Sequence, residues 1–222
     1  PVLAGDKIAA LAVTEPSGGS DVAALKTTAV RQSDSSGDHY IVNGEKVFIT
    51  SGMRADFITA AVRTDPASKG ANGISALLIE GDMPGLSRTK LDKMGWWASD
   101  TAHLRFDNVR VPVSNLIGEE HKGFKTFMTN FNSERLGMAS TAVAYAQVCF
   151  DEALDWARQR STFGAPLSER QVIRHKLMDM LRVIDVARCH VYDLAWAELH
   201  QHGDASLRVA RIAMAKVEAT RC

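Results

Sequence analysis

Cysteine is scarce and scattered, with three in 222 residues at Cys149, Cys189 and Cys222. That number and spacing match neither a disulfide framework nor a metal-binding knuckle, so a reducing compartment, bacterial cytoplasm or mitochondrial matrix, is the simple reading. An excess of either charge is also lacking. Lys and Arg total 26 against 26 Asp and Glu, and no basic stripe of the kind nucleic-acid binding needs is present. The longest apolar runs, such as 74–79, are far too short to span a bilayer, and no basic segment followed by an apolar stretch opens the chain. The motifs G-x-G-x-x-G, G-x-x-x-x-G-K-[ST], H-E-x-x-H and G-x-S-x-G are all missing, which argues against a Rossmann or P-loop nucleotide site. His200 and His202 read as a solvated helix terminus rather than a metal pair, so no metal site is expected.

What is there is an ordinary globular composition, 45% apolar and 23% charged, in a chain long enough to bury a substantial core. Pro1 is no initiator and Cys222 falls in a running helical pattern, so the sequence reads as an internal piece of a longer protein. Two grammars divide it. Residues 1–117 carry short β-branched or apolar runs at 8–13, 39–42, 46–50, 57–63, 74–80 and 102–111, separated by turn signals. Asn43-Gly44, between two such runs, predicts a tight hairpin. This half is expected to be an antiparallel β-barrel or sandwich domain. Over residues 118–222 the period becomes helical and Pro166 is the one proline after residue 122. Helices are expected from about 122 to 160 (about 58 Å long), from about 168 to 201, and from about 205 onward, packed as an antiparallel bundle. The fold class is thus α+β. Three such helices leave apolar faces uncovered, which calls for further helices or another subunit.

The most informative stretch is Thr14-Glu15-Pro16-Ser17-Gly18-Gly19-Ser20-Asp21, directly after a strand. Its small residues let a ligand approach the backbone, and its amides and hydroxyls can hold a polar ring edge or a phosphate. Taken alone it is also an ordinary Pro/Gly/Ser turn. The accompanying set is what narrows the reading: Asn43-Gly44-x-Lys46-x-Phe48-Ile49-Thr50, Met94-Gly95 with Ser99-Asp100-Thr101, Phe106-x-x-Val109-x-Val111-Pro112, Glu134-Arg135, and Arg160-Ser161-Thr162-Phe163-Gly164. In this order and spacing the chain resembles the acyl-CoA dehydrogenase family, over its middle β domain and the first part of its C-terminal helical domain.

The resemblance implies bound FAD. Thr14 would meet the flavin's pyrimidine edge, and Ser20 would lie near the pyrophosphate and the substrate. Phe48, where the family often has Trp, would shield one flavin face, with Thr50 near the reactive nitrogen. Arg160, Thr162, Phe163 and Gln171 would reach the FAD of a neighbouring subunit. Glu134 matches the position at which a minority of the family, resembling isovaleryl- and long-chain acyl-CoA dehydrogenases, places its catalytic base; most members place it further along the chain. A carboxylate suits that role because burial beside an acyl chain raises a carboxyl pKa toward neutrality. Arg135 fits a family arginine beside the substrate. Without the family match, Phe48 is equally a core aromatic, Arg160 a helix C-terminal cation and Glu134 a surface glutamate. Gly95-Trp96-Trp97-Ala98-Ser99 departs from the frequent Gly-x-Arg-x-Ser pattern, so chain-length preference does not carry over.

The implied activity is conversion of an acyl-CoA to its trans-2-enoyl-CoA, as in fatty-acid β-oxidation, by a homodimer or homotetramer that passes electrons to an electron-transfer flavoprotein. An acyl-CoA oxidase or flavin monooxygenase relative is the alternative on the same fold. A non-catalytic binding or assembly module is the alternative from another class.

Overall fold

The computed structural model describes residues 1–35 and 37–222 and divides into two compact units, Pro1–Phe127 and Met128–Cys222. In the first, apolar alternation builds eight strands: β1 (Ala9–Ala12), β2 (Thr28–Asp34), β3 (Gly37–Thr50), β4 (Phe57–Arg63), β5 (Ile74–Glu80), β6 (Leu86–Lys90), β7 (Thr101–Pro112) and β8 (Leu116–Ile117). They form one sheet in the order β6-β7-β3-β2-β4-β5-β8, with β1 set against β4. The sheet is open, not a closed barrel, among the described residues. Nor is it purely antiparallel, because β1 and the start of β2 run parallel to β4. Tyr40, Val42, Ile58, Val62, Leu77, Ile79, Leu104 and Phe106 form the core of this unit.

Two departures from the ladder matter for function. Asn43-Gly44 is not the hairpin turn its composition predicts. The chain runs straight through it within β3, and β2 and β3 pair from Thr28↔Asn43 to Asp34↔Gly37. Pairing with β7 shifts register between Val42 and Gly44. Gly44 has φ +143, and a Cβ there would sit 2.6–2.8 Å from atoms of Thr27, so glycine serves close approach rather than reversal. On β7 the buried set moves correspondingly, from Ala102, Leu104 and Phe106 to Val109 and Val111. Asn108 (φ 52) takes up the extra residue and exchanges hydrogen bonds with Asn43. A second shift between Lys46 and Ile49 leaves Val47 and Phe48 out of register. The strands β2 and β6 escaped the sequence pattern because Ala29 is the one buried residue between them.

The second unit continues the helix α1 (Gly123–Gln159) and adds α2 (Gln171–Leu199) and α3 (Ala205–Ala219). Their inner faces repeat at three and four residues: Val143, Ala146, Phe150, Ala153 and Ala157; Ile184, Ala187, Val191 and Leu194; Ile212, Ala215 and Ala219. Asp204 caps α3 by accepting from the Leu207 amide at 2.9 Å. The buried Arg208 guanidinium closes the α2–α3 turn, donating to Glu198, Gln201 and the carbonyls of His202 and Gly203. Outer faces remain apolar, with Tyr192, Trp196 and Leu199 on α2 and Leu207, Met214 and Val217 on α3 all exposed. No helix among the described residues is long and apolar enough to cross a membrane.

Candidate functional site

The Glu15-Pro16-Ser17-Gly18 segment closes as a tight turn, with Glu15 and Gly18 exchanging backbone hydrogen bonds at 3.1 and 3.0 Å. The turn is seated on β3 by buried charge. Lys46, 0% exposed, donates from Nζ to Glu15 Oε1 at 2.9 Å and to the Val13 carbonyl at 3.0 Å. The Glu15 carboxylate also accepts from the Thr27 amide at 2.9 Å and the Lys26 amide at 2.6 Å. Burial alone would raise the Glu15 pKa, but the Lys46 charge and these hydrogen bonds hold it below the usual carboxylate range. Burial pushes the Lys46 ammonium down, and Glu15 offsets this in part. Between Val13 and Glu15, the Thr14 carbonyl accepts from the Val47 amide at 2.9 Å. Thr14 is half-buried, and a Cβ on Gly19 would come within 3.1 Å of its methyl group.

Immediately beyond Val47, the second register shift turns Phe48 outward. It lies in the left-handed region (φ 61) and is 69% exposed, an unfavourable combination for a large aromatic in a strand. Thr50 ends the same strand with its side chain exposed. The turn after it is held by Asp100, which accepts from the Met53 amide at 2.8 Å and from Arg54 Nε at 2.6 Å. Burial favours the neutral acid at Asp100, yet these donors keep its pKa below the usual range. The Asp100 carbonyl in turn accepts from the Ser51 amide. In the adjoining loop Trp96 and Trp97 are exposed, and Trp97 Nε1 donates to the Lys93 carbonyl at 3.0 Å.

In the second unit Glu134 is exposed on α1 and accepts from Asn130 Nδ2 at 2.6 Å; Arg135 donates to Asn132 Oδ1 at 3.1 Å. Arg160 follows the end of α1, and its carbonyl accepts from the Leu167 amide at 2.8 Å. Two short strands, β9 (Ser161–Thr162) and β10 (Ala165–Pro166), pair across Phe163 and Gly164, which have φ 49 and 78. Phe163 is 98% exposed. Arg170 organises this loop, donating to the Thr162 carbonyl with its guanidinium 5.9 Å from the Phe163 ring centre. Gln171 opens α2 beside it.

The backbone ties some of the expected residues together. The Thr14 carbonyl accepts from the amide of Val47, which directly precedes Phe48 and lies three residues before Thr50 on β3, and Ser20 lies exposed further along the Thr14 loop. Arg160, Thr162, Phe163 and Gln171 share the α1–α2 loop. Glu134 and Arg135 stand apart from that loop, roughly 39 Å up the same helix at 1.5 Å per residue. Sequence reasoning gave no role to Lys46, Glu15, Asp100 or Arg170. A lysine inside an apolar strand was the available signal for the first. No group of three or more His, Cys, Asp or Glu that could hold a metal ion occurs among the described residues.

The cradle suits a flat, polar-edged ring. It offers an exposed aromatic side chain at Phe48, an exposed Thr50, a half-buried Thr14, and at Gly18 a position with open space around it. Residues 10–109 match the acyl-CoA dehydrogenase middle domain, and residues 121–222 match the acyl-CoA dehydrogenase C-terminal domain. The Bacillus subtilis protein named probable acyl-CoA dehydrogenase YngJ is 40% identical over 201 residues, covering 90% of this chain and 52% of that relative. The mitochondrial long-chain specific acyl-CoA dehydrogenase of Rattus norvegicus is 41% identical over 215 residues, covering 96% and 48%. A solved structure of a probable acyl-CoA dehydrogenase from Mycobacterium abscessus superposes with a TM-score of 0.92 at 49% identity, covering all of this chain and 57% of that one. The chain thus spans about half the length of the curated relatives it matches.

Proposed function

We propose that this chain, which belongs to the acyl-CoA dehydrogenase family, carries the flavin cradle and the proton-abstracting helix of an FAD-dependent enzyme that converts acyl-CoA thioesters to trans-2-enoyl-CoA. The observation that carries the reading is Phe48, a large aromatic held exposed in a strained conformation next to Val47, whose amide donates to the Thr14 carbonyl. Strain of this kind persists where the surrounding structure imposes it and is concentrated at functional sites.

FAD, when bound, accepts the hydride that leaves the substrate's β carbon. The chain's own residues supply the rest. In this reading the Thr14 hydroxyl meets the flavin's polar edge, and Ser20 meets phosphate and substrate. Phe48 covers a ring face and keeps water from it, and Thr50 stands at the open end of the strand. Arg160, Thr162, Phe163 and Gln171 form a preorganised loop for the cofactor of a second subunit, where the arginine would meet phosphate through charge-assisted hydrogen bonds. Glu134 takes the proton from the α carbon: the Cα–H bond breaks, its proton passes to the carboxylate, and its electrons form the new C=C bond as hydride departs from Cβ. The Glu134-Arg135 motif of the family resemblance is what favours a base on α1, and Arg135 orients the substrate beside it. An electron-transfer flavoprotein is the proposed acceptor and a homodimer or homotetramer the proposed assembly, consistent with the apolar outer faces of α2 and α3.

The test is the visible spectrum of the intact protein under anaerobic conditions, before and after addition of acyl-CoA esters. The expected result is a flavin band that bleaches, and a slowing of that bleaching by about 10²–10⁴-fold in Glu134→Gln with flavin retained. An intact protein without flavin overturns the reading. Unslowed bleaching in Glu134→Gln puts the base elsewhere, and rapid reoxidation of the reduced protein by air assigns it to the oxidase branch.

A further inference from the structure

Lys46 and Glu15 are the buried ion pair of the sheet unit, and the reaction uses neither. Buried pairs contribute little net stability compared with well-packed apolar side chains, because desolvation offsets their attraction. The neighbouring core, Ile49 and Leu104 among it, is apolar and would accept such side chains. What the pair does achieve is placement. One ammonium donates to the Val13 carbonyl at 3.0 Å and to Glu15 Oε1 at 2.9 Å, the residues on either side of Thr14. The next residue along, Val47, donates its amide to the Thr14 carbonyl at 2.9 Å. Glu15 extends the clamp to the Lys26 and Thr27 amides, so the far end of the loop is held by the same carboxylate. Three consecutive residues of the glycine loop are thereby locked against two consecutive residues of β3, at the point where β3 loses register and Phe48 turns outward.

We propose that Lys46 and Glu15 are positioning residues of the flavin site, setting the Thr14 hydroxyl against the Phe48 ring so that cofactor meets both at once. The proposal rests on the flavin reading above. A pair serving only to attach the loop would contribute to stability irrespective of Thr14; a positioning pair acts on cofactor through Thr14.

The experiment uses the intact protein, stripped of flavin and titrated with FAD by fluorescence, with thermal unfolding followed in parallel. The neutral variant Lys46→Met with Glu15→Gln removes both charges together, leaving no unpaired ion. Its unfolding midpoint is expected to stay within a few degrees of the parent, while FAD binding weakens by about tenfold or more. In a Thr14→Val background the same double substitution is expected to cost less than about twofold further, because the group it positions is gone. Parental FAD affinity in the folded double variant overturns the proposal, as does an undiminished loss in the Thr14→Val background. Should the double variant fail to fold, Glu15→Asp keeps the charge and withdraws the carboxylate by one methylene. It is expected to weaken FAD by about threefold with the same dependence on Thr14, and unchanged affinity there is equally fatal. A parent protein that binds no FAD removes the flavin reading itself, an outcome seen before any variant is made.

Discussion

The two units treat polar groups in opposite ways. In Pro1–Phe127 the polar groups beside the candidate cradle are withdrawn from solvent and paired, Lys46 with Glu15 fully buried on the sheet and the half-buried Asp100 with the turn after Thr50. In Met128–Cys222 the expected site residues Glu134, Arg160, Phe163 and Gln171 are exposed, and the buried charge, Arg208, closes a turn between helices. The difference follows from how each kind of backbone is satisfied. A strand depends on its neighbours, so a shift in register frees main-chain groups that a side chain must meet, and a site is carved where the ladder departs from regularity. A helix satisfies its own interior backbone and presents side chains on faces. Its functional residues therefore wait on whatever covers the face, and the exposed apolar rows on α2 and α3 show how much face there is.

The sharpest way to break this contrast is Glu15→Ala. It leaves the Lys46 ammonium buried with only the Val13 carbonyl, and a loss of about 3–5 kcal/mol is expected in denaturant unfolding. A loss below about 1 kcal/mol would mean that the ion pair is no more than a surface one in effect. The pH dependence points the same way. Glu15 has a native pKa below its ordinary value of 4.5, so its contribution is present above that pH and is lost as the pH falls through the lowered native value. Acid unfolding of Glu15→Gln is accordingly expected to be shallower than that of the parent.

A smaller effect is expected in the helical unit. Arg208→Ala removes a guanidinium with four acceptors, but those acceptors lie at a turn where water can replace it, so about 1–3 kcal/mol is expected from the same measurement. A loss exceeding that of Glu15→Ala would reverse the comparison, making the helical turn the more demanding electrostatic element. The smallest change is expected at Phe48. Phe48→Gly relieves a left-handed conformation that costs a non-glycine residue roughly 1–2 kcal/mol, offset by roughly 0.5–1 kcal/mol of added chain entropy in the unfolded state. Stability is expected to rise by up to about 1.5 kcal/mol while FAD binding weakens in the titration described above. A fall in stability would show that the ring supports the sheet instead of serving a ligand.

Much of the fold was legible in the chain's periodicity. The change from strands to helices, the long α1 with its end near residue 160, the break at Gly164 and Pro166, and the third helix from residue 205 all follow from local pattern, because helix periodicity and Pro/Gly punctuation act within a few residues. The Asn43-Gly44 expectation failed for an equally physical reason. A glycine that can reverse a chain can also let two strands approach, and the contact that chose between them, with Thr27, lies 17 positions away in the sequence. Strands β2 and β6 were missed because they present too little buried apolar surface to leave a period-two pattern.

The residue types of the candidate site were likewise readable, and their order and spacing carried the family resemblance. Sequence by itself thus determined the fold class, the helix limits and which side chains are candidates for cofactor and proton chemistry, since these rest on local preference and motif spacing. Tertiary structure alone decided that the sheet is open and mixed, that Phe48 turns outward, and that Lys46 reaches back across the sheet to hold both neighbours of Thr14. Those outcomes depend on strand pairing, register and burial, which are set by residues distant in the chain and meet only once the sheet has formed.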